Sequence, residues 1–126
     1  MMNLLYVAIG GAVGALMRYG VTIGSQQLWG KAFPYGTLIV NILGSFVIGV
    51  VYVLMVERSE LPQECRAFLV IGLLGAFTTF STFSFETITL FEIGDSNKAF
   101  INIFSNVFTC LAVCWLGMAL ARQTSI

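Results

Sequence analysis

The sequence predicts an all-α membrane protein with four transmembrane helices, because of its composition, its long apolar stretches and its short connectors. Apolar residues make up 58% of the 126 residues and charged residues only 10%, with a mean hydropathy of +0.92. Soluble domains carry about 25% charged residues, so this chain has too few to cover a surface that faces water. Most apolar side chains must therefore face another medium, and membrane lipid is the expected one.

The same composition argues against several functional classes. Six basic residues balance six acidic ones without clustering, so the basic surface that binds nucleic acid is missing. Histidine, the side chain most used in acid–base catalysis, does not occur. The three cysteines, Cys65, Cys110 and Cys114, form no CxxC pair and are interpreted as packing residues. We therefore expect neither an enzyme nor a nucleic-acid-binding protein.

Four apolar stretches, residues 4–23, 36–56, 67–91 and 100–121, are each long enough to be a membrane helix, which takes about 20 residues. The first lacks the basic start and the cleavage site of a signal peptide. The connectors contain Pro34, Pro62 and Gly94, which end helices or form turns. The chain is thus expected to form a single four-helix transmembrane domain over residues 1–126.

The first predicted helix combines small residues with a charge. Gly10 and Gly14 form a GxxxG spacing that lets two helices approach closely. Arg18 is costly inside a membrane. It either extends toward the nearby helix end or faces a wet cavity, where its permanent charge would attract anions.

The second predicted helix carries a polar stripe. Thr37, Asn41 and Ser45 are spaced by four residues and share one face. Such residues either join neighbouring helices by hydrogen bonds or line a polar pathway, and all three side chains can donate hydrogen bonds.

The third stretch contains an unusual run, GLLGAFTTFSTFSFET, at residues 72–87. Its hydroxyl side chains compete with the helix backbone for hydrogen bonds, which predicts a helix break over residues 75–79. Backbone freed at membrane depth must be buried in protein or line a wet cavity, and its carbonyls can bind a cation. Phe80 and Phe83 lie on one face among the hydroxyls.

Polar residues continue beyond this run. Glu86 lies inside the end of the third helix, where it must protonate or pair, and Arg18 is one possible partner. In the fourth helix the spacing of Asn102, Ser105, Asn106 and Thr109 predicts another polar face.

Charge gives little preference for one orientation in the membrane. With four helices both termini share a side, which has three basic residues, Arg58, Arg66 and Arg122, against Lys31 and Lys98 opposite. Because basic residues normally mark the cytoplasmic side, either another feature sets the topology or the chain inserts both ways and assembles as an antiparallel pair.

Together these residues favour a pathway for a small anion or polar solute. Hydroxyls, amides, phenyl rings and one arginine supply donors, and the positive edges of phenyl rings can contact an anion. The acidic rings of cation paths and the carboxylates or histidines of proton relays are not seen at mid-membrane.

The chain resembles the Fluc (CrcB) family of fluoride ion channels over nearly its whole length. The matching motifs are GGAVGALMRYG at residues 10–20, GTLIVNILGSFVIG at 36–49 and GLLGAFTTFSTFSFET at 72–87. The resemblance implies an antiparallel, dual-topology homodimer in the bacterial plasma (inner) membrane. It would export fluoride passively, select against chloride and hold two pores along the subunit interface.

The resemblance also implies roles for individual residues. Phe80 and Phe83 line the pores, Asn41 lines the vestibule and the pore, and Arg18 lies near the vestibule. Ser81 and Thr82 are expected to contact fluoride, and Ser105 and Thr109 are assigned to the far side of the pore. A central structural sodium ion is expected on the two-fold axis, held by the backbone carbonyls of Gly75 and Thr78.

Three other interpretations stay open at the level of sequence. A small dual-topology multidrug or cation transporter has the same size, but it depends on a carboxylate in its first helix, where this chain has Arg18. A structural membrane protein would use the polar residues only to join helices. The interpretation as an enzyme is the weakest of the three, since no pair of nucleophile and base is visible in the sequence.

Overall fold

The computed structural model describes residues 2–124, and these form helices and no strands. Four spans are long and apolar enough to cross a membrane: Met2–Trp29, Tyr35–Glu57, Gln63–Glu92 and Ser96–Gln123. Large apolar side chains cover the outside, with Leu16, Leu28 and Phe85 exposed to 71%, 74% and 72%. This reverses the pattern of a water-soluble protein, and the chain is a multi-pass membrane protein.

The third span is broken, as the sequence predicts. Its backbone is helical over 63–77, becomes extended at Thr78 and Thr79, and is helical again over Phe80–Glu92. We therefore number five helices: α1 (Met2–Trp29), α2 (Tyr35–Glu57), α3 (63–77), α4 (Phe80–Glu92) and α5 (Ser96–Gln123). Wider π-helical turns occur at Val53–Glu57, Arg66–Leu74 and Ser105–Thr109, and the last of these, in α5, faces α2 through Asn106.

Glycines hold the helices in two close pairs. A β-carbon at Gly14 would overlap the Leu73 carbonyl oxygen, so α1 and α3 touch backbone to backbone. A β-carbon at Gly49 or Gly117 would overlap the backbone of α5 or of α2 in the same way. The interpretation of the α1 glycines as packing residues is confirmed, with α3 as the partner.

The break changes the neighbour of the third span. Up to residue 77 the chain lies against α1, whereas α4 packs on the first half of α5. At the end near the C-terminus, the Arg122 guanidinium forms a bidentate ion pair with Glu57, at 2.7 and 3.0 Å. Arg58 donates to the Ala121 carbonyl at 2.7 Å, so α2 and α5 are joined there. With α1 packed on α3 and α2 joined to α5, the break lies beside α2 and α5.

Candidate functional site

A cavity of about 580 Å³ lies beside the break, between α2, α3, α4 and α5. Among the described residues that line it none is charged, and the list is Asn41, Gly44, Ser45, Ile48, Val70, Leu74, Gly75, Thr78, Thr79, Phe80, Phe83, Asn106, Val107, Cys110 and Leu111. The structure thus brings Asn41, Gly75, Thr78, Phe80 and Phe83, all predicted from the sequence, to one place.

The Asn41 side chain holds the extended backbone of Thr79. The Thr79 N–H donates to Asn41 Oδ1 at 2.9 Å, and Asn41 Nδ2 donates to the Thr79 carbonyl at 3.1 Å. The amide thus pairs with both polar groups of one residue, as a neighbouring strand would. Gly44, one turn away on α2, has no side chain and gives the Thr78 methyl group room against α2. The break is therefore fixed by contacts with α2.

The backbone carbonyls of Gly75 and Thr78 are among those that lose their helical partners at the break. In a continuous helix the Gly75 carbonyl would accept from Thr79 N–H, which here donates to Asn41. The Thr78 carbonyl would accept from Thr82 N–H, which here donates to Thr79 Oγ1 at 3.2 Å. These are the two carbonyls expected to hold a cation, and both are released from the helix by side chains that take their donors.

Arg18 satisfies a third carbonyl at the end of α3. Its Nε donates to the Ala76 carbonyl at 3.0 Å, and its side chain is partly buried. The guanidinium thus stabilises the negative end of the α3 dipole and carries a permanent charge next to the break. It does not line the cavity itself.

Thr82 and Ser81 carry hydroxyl groups on the first turn of α4. The Thr79 hydroxyl donates to Thr82 Oγ1 at 3.0 Å, so the Thr82 proton is left for another acceptor. Ser81 is exposed, and its Oγ lies 3.5 Å from Thr79 Oγ1. Because Thr79 gives its one hydroxyl proton to Thr82, Ser81 is the donor in this long contact, and of the two residues Thr82 keeps an unused proton at the positive end of α4. Neither Ser81 nor Thr82 belongs to the lining of the cavity itself.

Phe80 and Phe83 lie together on the cavity wall. Their ring centroids are 5.4 Å apart with a tilt of 53° between the planes. Phe83 is buried, at 7% exposure, while Phe80 is 75% exposed. A phenyl ring that projects this far from the chain is available to the membrane or to another protein surface.

The polar face of α5 divides into two parts. Ser105 and Thr109, the two α5 residues assigned to the pore from the sequence, are half-buried and lie outside the lining of this cavity. The buried residues are instead Asn106 and Asn102, at 5% and 0% exposure, and Asn106 faces Asn41. The i, i+4 spacing of these two amides was the available signal, since a buried amide needs several partners.

Glu86 lies in a second cavity, of about 270 Å³, at the other end of α4. The Thr37 hydroxyl is its hydrogen-bonding neighbour, and Oε1 is buried without a partner among the described residues. The suggestion that Arg18 pairs with Glu86 is wrong, because the Arg18 guanidinium turns to Ala76 instead.

Comparisons with known proteins show the family to which the chain belongs. Residues 5–118 match the family described as CrcB-like protein, Camphor Resistance (CrcB). The chain is 50% identical to the "Fluoride-specific ion channel FluC" of Shewanella amazonensis over 120 residues, which cover 95% of this chain and 96% of the relative. For the protein of that name from Shewanella woodyi the identity is 51% with the same coverage, and for that from Hydrogenovibrio crunogenus it is 46%, covering 97% and 92%. The chain belongs to the CrcB family.

Proposed function

We propose that this chain forms a fluoride-selective passive channel that exports fluoride from the cytoplasm. The observation that supports the proposal is the break at Thr78 and Thr79, where an uncharged cavity lies beside the first turn of α4 and the Thr82 hydroxyl keeps an unused proton on that turn. The printed names of the relatives, fluoride-specific ion channels, support the same function.

The donors suit a small, strongly hydrated anion. Thr82 offers a hydroxyl proton at the first turn of α4, and Ser81 offers an exposed hydroxyl that only a long contact to Thr79 holds. The helix dipole also favours negative charge there. The edges of the Phe80 and Phe83 rings carry the positive part of the ring quadrupole and exclude water. The lining of the cavity places no fixed charge in the path, so a bound ion can also leave.

The assembly proposed is an antiparallel homodimer with two pores along the subunit interface. Two features support it: the exposed Phe80 ring beside the cavity, and basic residues divided three against two between the two sides. A second copy placed against the cavity would cover Phe80 and close the path on its open side. Ser105 and Thr109 keep their proposed place on the far side of the pore in this dimer.

A structural sodium ion fits the residues at the break. The Gly75 and Thr78 carbonyls have lost their helical donors, and two copies related by a two-fold axis would offer four such oxygens. Neutral oxygens suit a hard monovalent cation, and its charge would attract anions to both paths. Exhaustive replacement of sodium by a large organic cation should slow fluoride flux and weaken the dimer. Unchanged flux and unchanged cross-linking after that replacement would overturn the assignment.

Fluoride efflux from proteoliposomes tests the function. Liposomes loaded with potassium fluoride and given valinomycin should release fluoride to an electrode without ATP and without a pH gradient. Release that needs a proton gradient, or proton-coupled exchange of an organic cation in its place, would indicate a transporter. If the liposomes release no fluoride, the remaining interpretation is a structural membrane protein.

A further inference from the structure

The Asn41 amide that holds the break is itself held by a chain of buried amides. Asn41 Nδ2 donates to Asn106 Oδ1 at 3.0 Å, and Asn106 Nδ2 donates to Asn102 Oδ1 at 3.0 Å. Asn102 Nδ2 donates to Thr87 Oγ1 at 2.9 Å, and that hydroxyl donates to the Phe83 carbonyl at 2.7 Å. We call Asn41, Asn106, Asn102 and Thr87 the amide relay.

The direction of every hydrogen bond in the amide relay is set at the break. Because the Thr79 N–H can only donate, Asn41 must present its oxygen there and its Nδ2 toward Asn106. Asn106 must then accept with its oxygen and donate onward to Asn102. Turning any one amide over would place two donors or two acceptors together inside a buried network, which is costly.

The two ends of the amide relay meet the same helix. Thr79 is the N-cap residue of α4, and Phe83 lies one turn into it. Between them the amide relay passes through α2 and through the wide turn Ser105–Thr109 of α5. The orientation of α4, which carries Phe80 and the Thr82 hydroxyl, is therefore set from α5.

We propose that Asn106 is a positioning residue for conduction, which acts by holding the Asn41 amide in the orientation that fixes Thr79. This inference rests on the proposed function for its effect on flux, but its structural content does not. Without the Asn106 oxygen, one Asn41 proton has no acceptor, the amide can rotate, and the Thr79 N–H loses its fixed acceptor. Conduction then falls because the break loses its shape.

Two variants of Asn106 test this, measured on the full chain in lipid nanodiscs. Asn106→Leu removes the amide at similar volume, and Asn106→Ser is smaller and has a hydroxyl too short to reach Asn41. The readout is the hydrogen-exchange rate of the Thr79 backbone amide, with fluoride efflux measured in parallel. The matched control is Asn97→Leu, the same chemical change at an exposed position on the first turn of α5.

Each Asn106 variant should raise the Thr79 exchange rate about tenfold, as expected for local loss of one hydrogen-bonding arrangement, and should slow fluoride efflux. Asn97→Leu should change neither. In an Asn41→Ala background, where Thr79 is already released, the Asn106 variants should add nothing, since they act through Asn41.

Thr79 exchange that stays at the wild-type rate in both Asn106 variants would overturn the proposal. So would an equal increment in the Asn41→Ala background, which would mean that Asn106 acts by packing. Failure of the proposed function is a separate result: wild-type protein would then pass no fluoride, while Thr79 exchange would still decide the role of Asn106.

Discussion

At the scale of single residues, the polar groups around the break divide into those that hold the protein and those left for a ligand. Both amide protons of Asn41 go to protein oxygens, and the Arg18 Nε goes to Ala76. The Thr82 proton is not used in this way, and the exposed Ser81 hydroxyl is held only by a 3.5 Å contact with Thr79. Asn41 lines the cavity, but both its amide protons are used to hold protein groups, so the proposed anion donors are the hydroxyls.

The phenyl rings are tested by replacement with isoleucine. Phe80→Ile and Phe83→Ile keep apolar bulk but remove the positive ring edge, an interaction worth about 1 kcal/mol, so fluoride flux should fall about five- to tenfold. Phe85→Ile, an equally exposed phenylalanine of α4, is the control and should conduct normally. If both test variants conduct fluoride at the wild-type rate, the two phenyl rings are not part of the fluoride pathway. Loss of the dimer together with flux would assign Phe83 to packing, since it is buried.

At the scale of the helices, the order of elements and the existence of the break were predictable, while their exact limits were not. The first helix reaches Trp29 instead of residue 23 because its polar last turns leave the hydrocarbon without ending the helix. Gly75 stays helical, and the break is at Thr78 and Thr79 because Asn41, distant in sequence, takes the Thr79 N–H. Local helix propensity predicts a weak segment over residues 75–79, but the tertiary contact with Asn41 determines which residues of that segment leave the helix.

The same limit applies to α5. Its polar residues could be listed from the sequence, yet which of them face α2 depends on the wide turn Ser105–Thr109. That turn brings Asn106 to Asn41 and leaves Ser105 and Thr109 away from the cavity. The helical period placed Asn102 and Asn106 on the polar face, but it does not show which members of that face point to α2.

Glycine packing between α1 and α3 gives a stability prediction with an internal control. Gly14→Ala places a methyl group against the Leu73 carbonyl and should destabilise the protein by about 1–3 kcal/mol through overpacking. Gly20→Ala lies on the same helix with open space around it and should be neutral or stabilise by up to about 1 kcal/mol. Thermal unfolding in detergent measures both. Equal midpoints for the two variants would contradict the close approach of these helices.

At the scale of the whole molecule, the small charge difference between the two sides supports the proposed antiparallel assembly. With basic residues divided three against two, two added lysines in the connectors of one side should fix the orientation. Each locked form alone should conduct poorly, and co-expression of oppositely locked forms should restore flux. A terminal tag that labels from one side only in wild-type membranes would contradict dual insertion.

The central claim is that the broken span forms an anion path selective for fluoride. The most direct measurement is the rate of fluoride and of chloride efflux from the same potassium-loaded proteoliposomes after addition of valinomycin. Fluoride should leave rapidly, and chloride should leave no faster than from protein-free liposomes. Equal rates for the two anions would contradict the central claim.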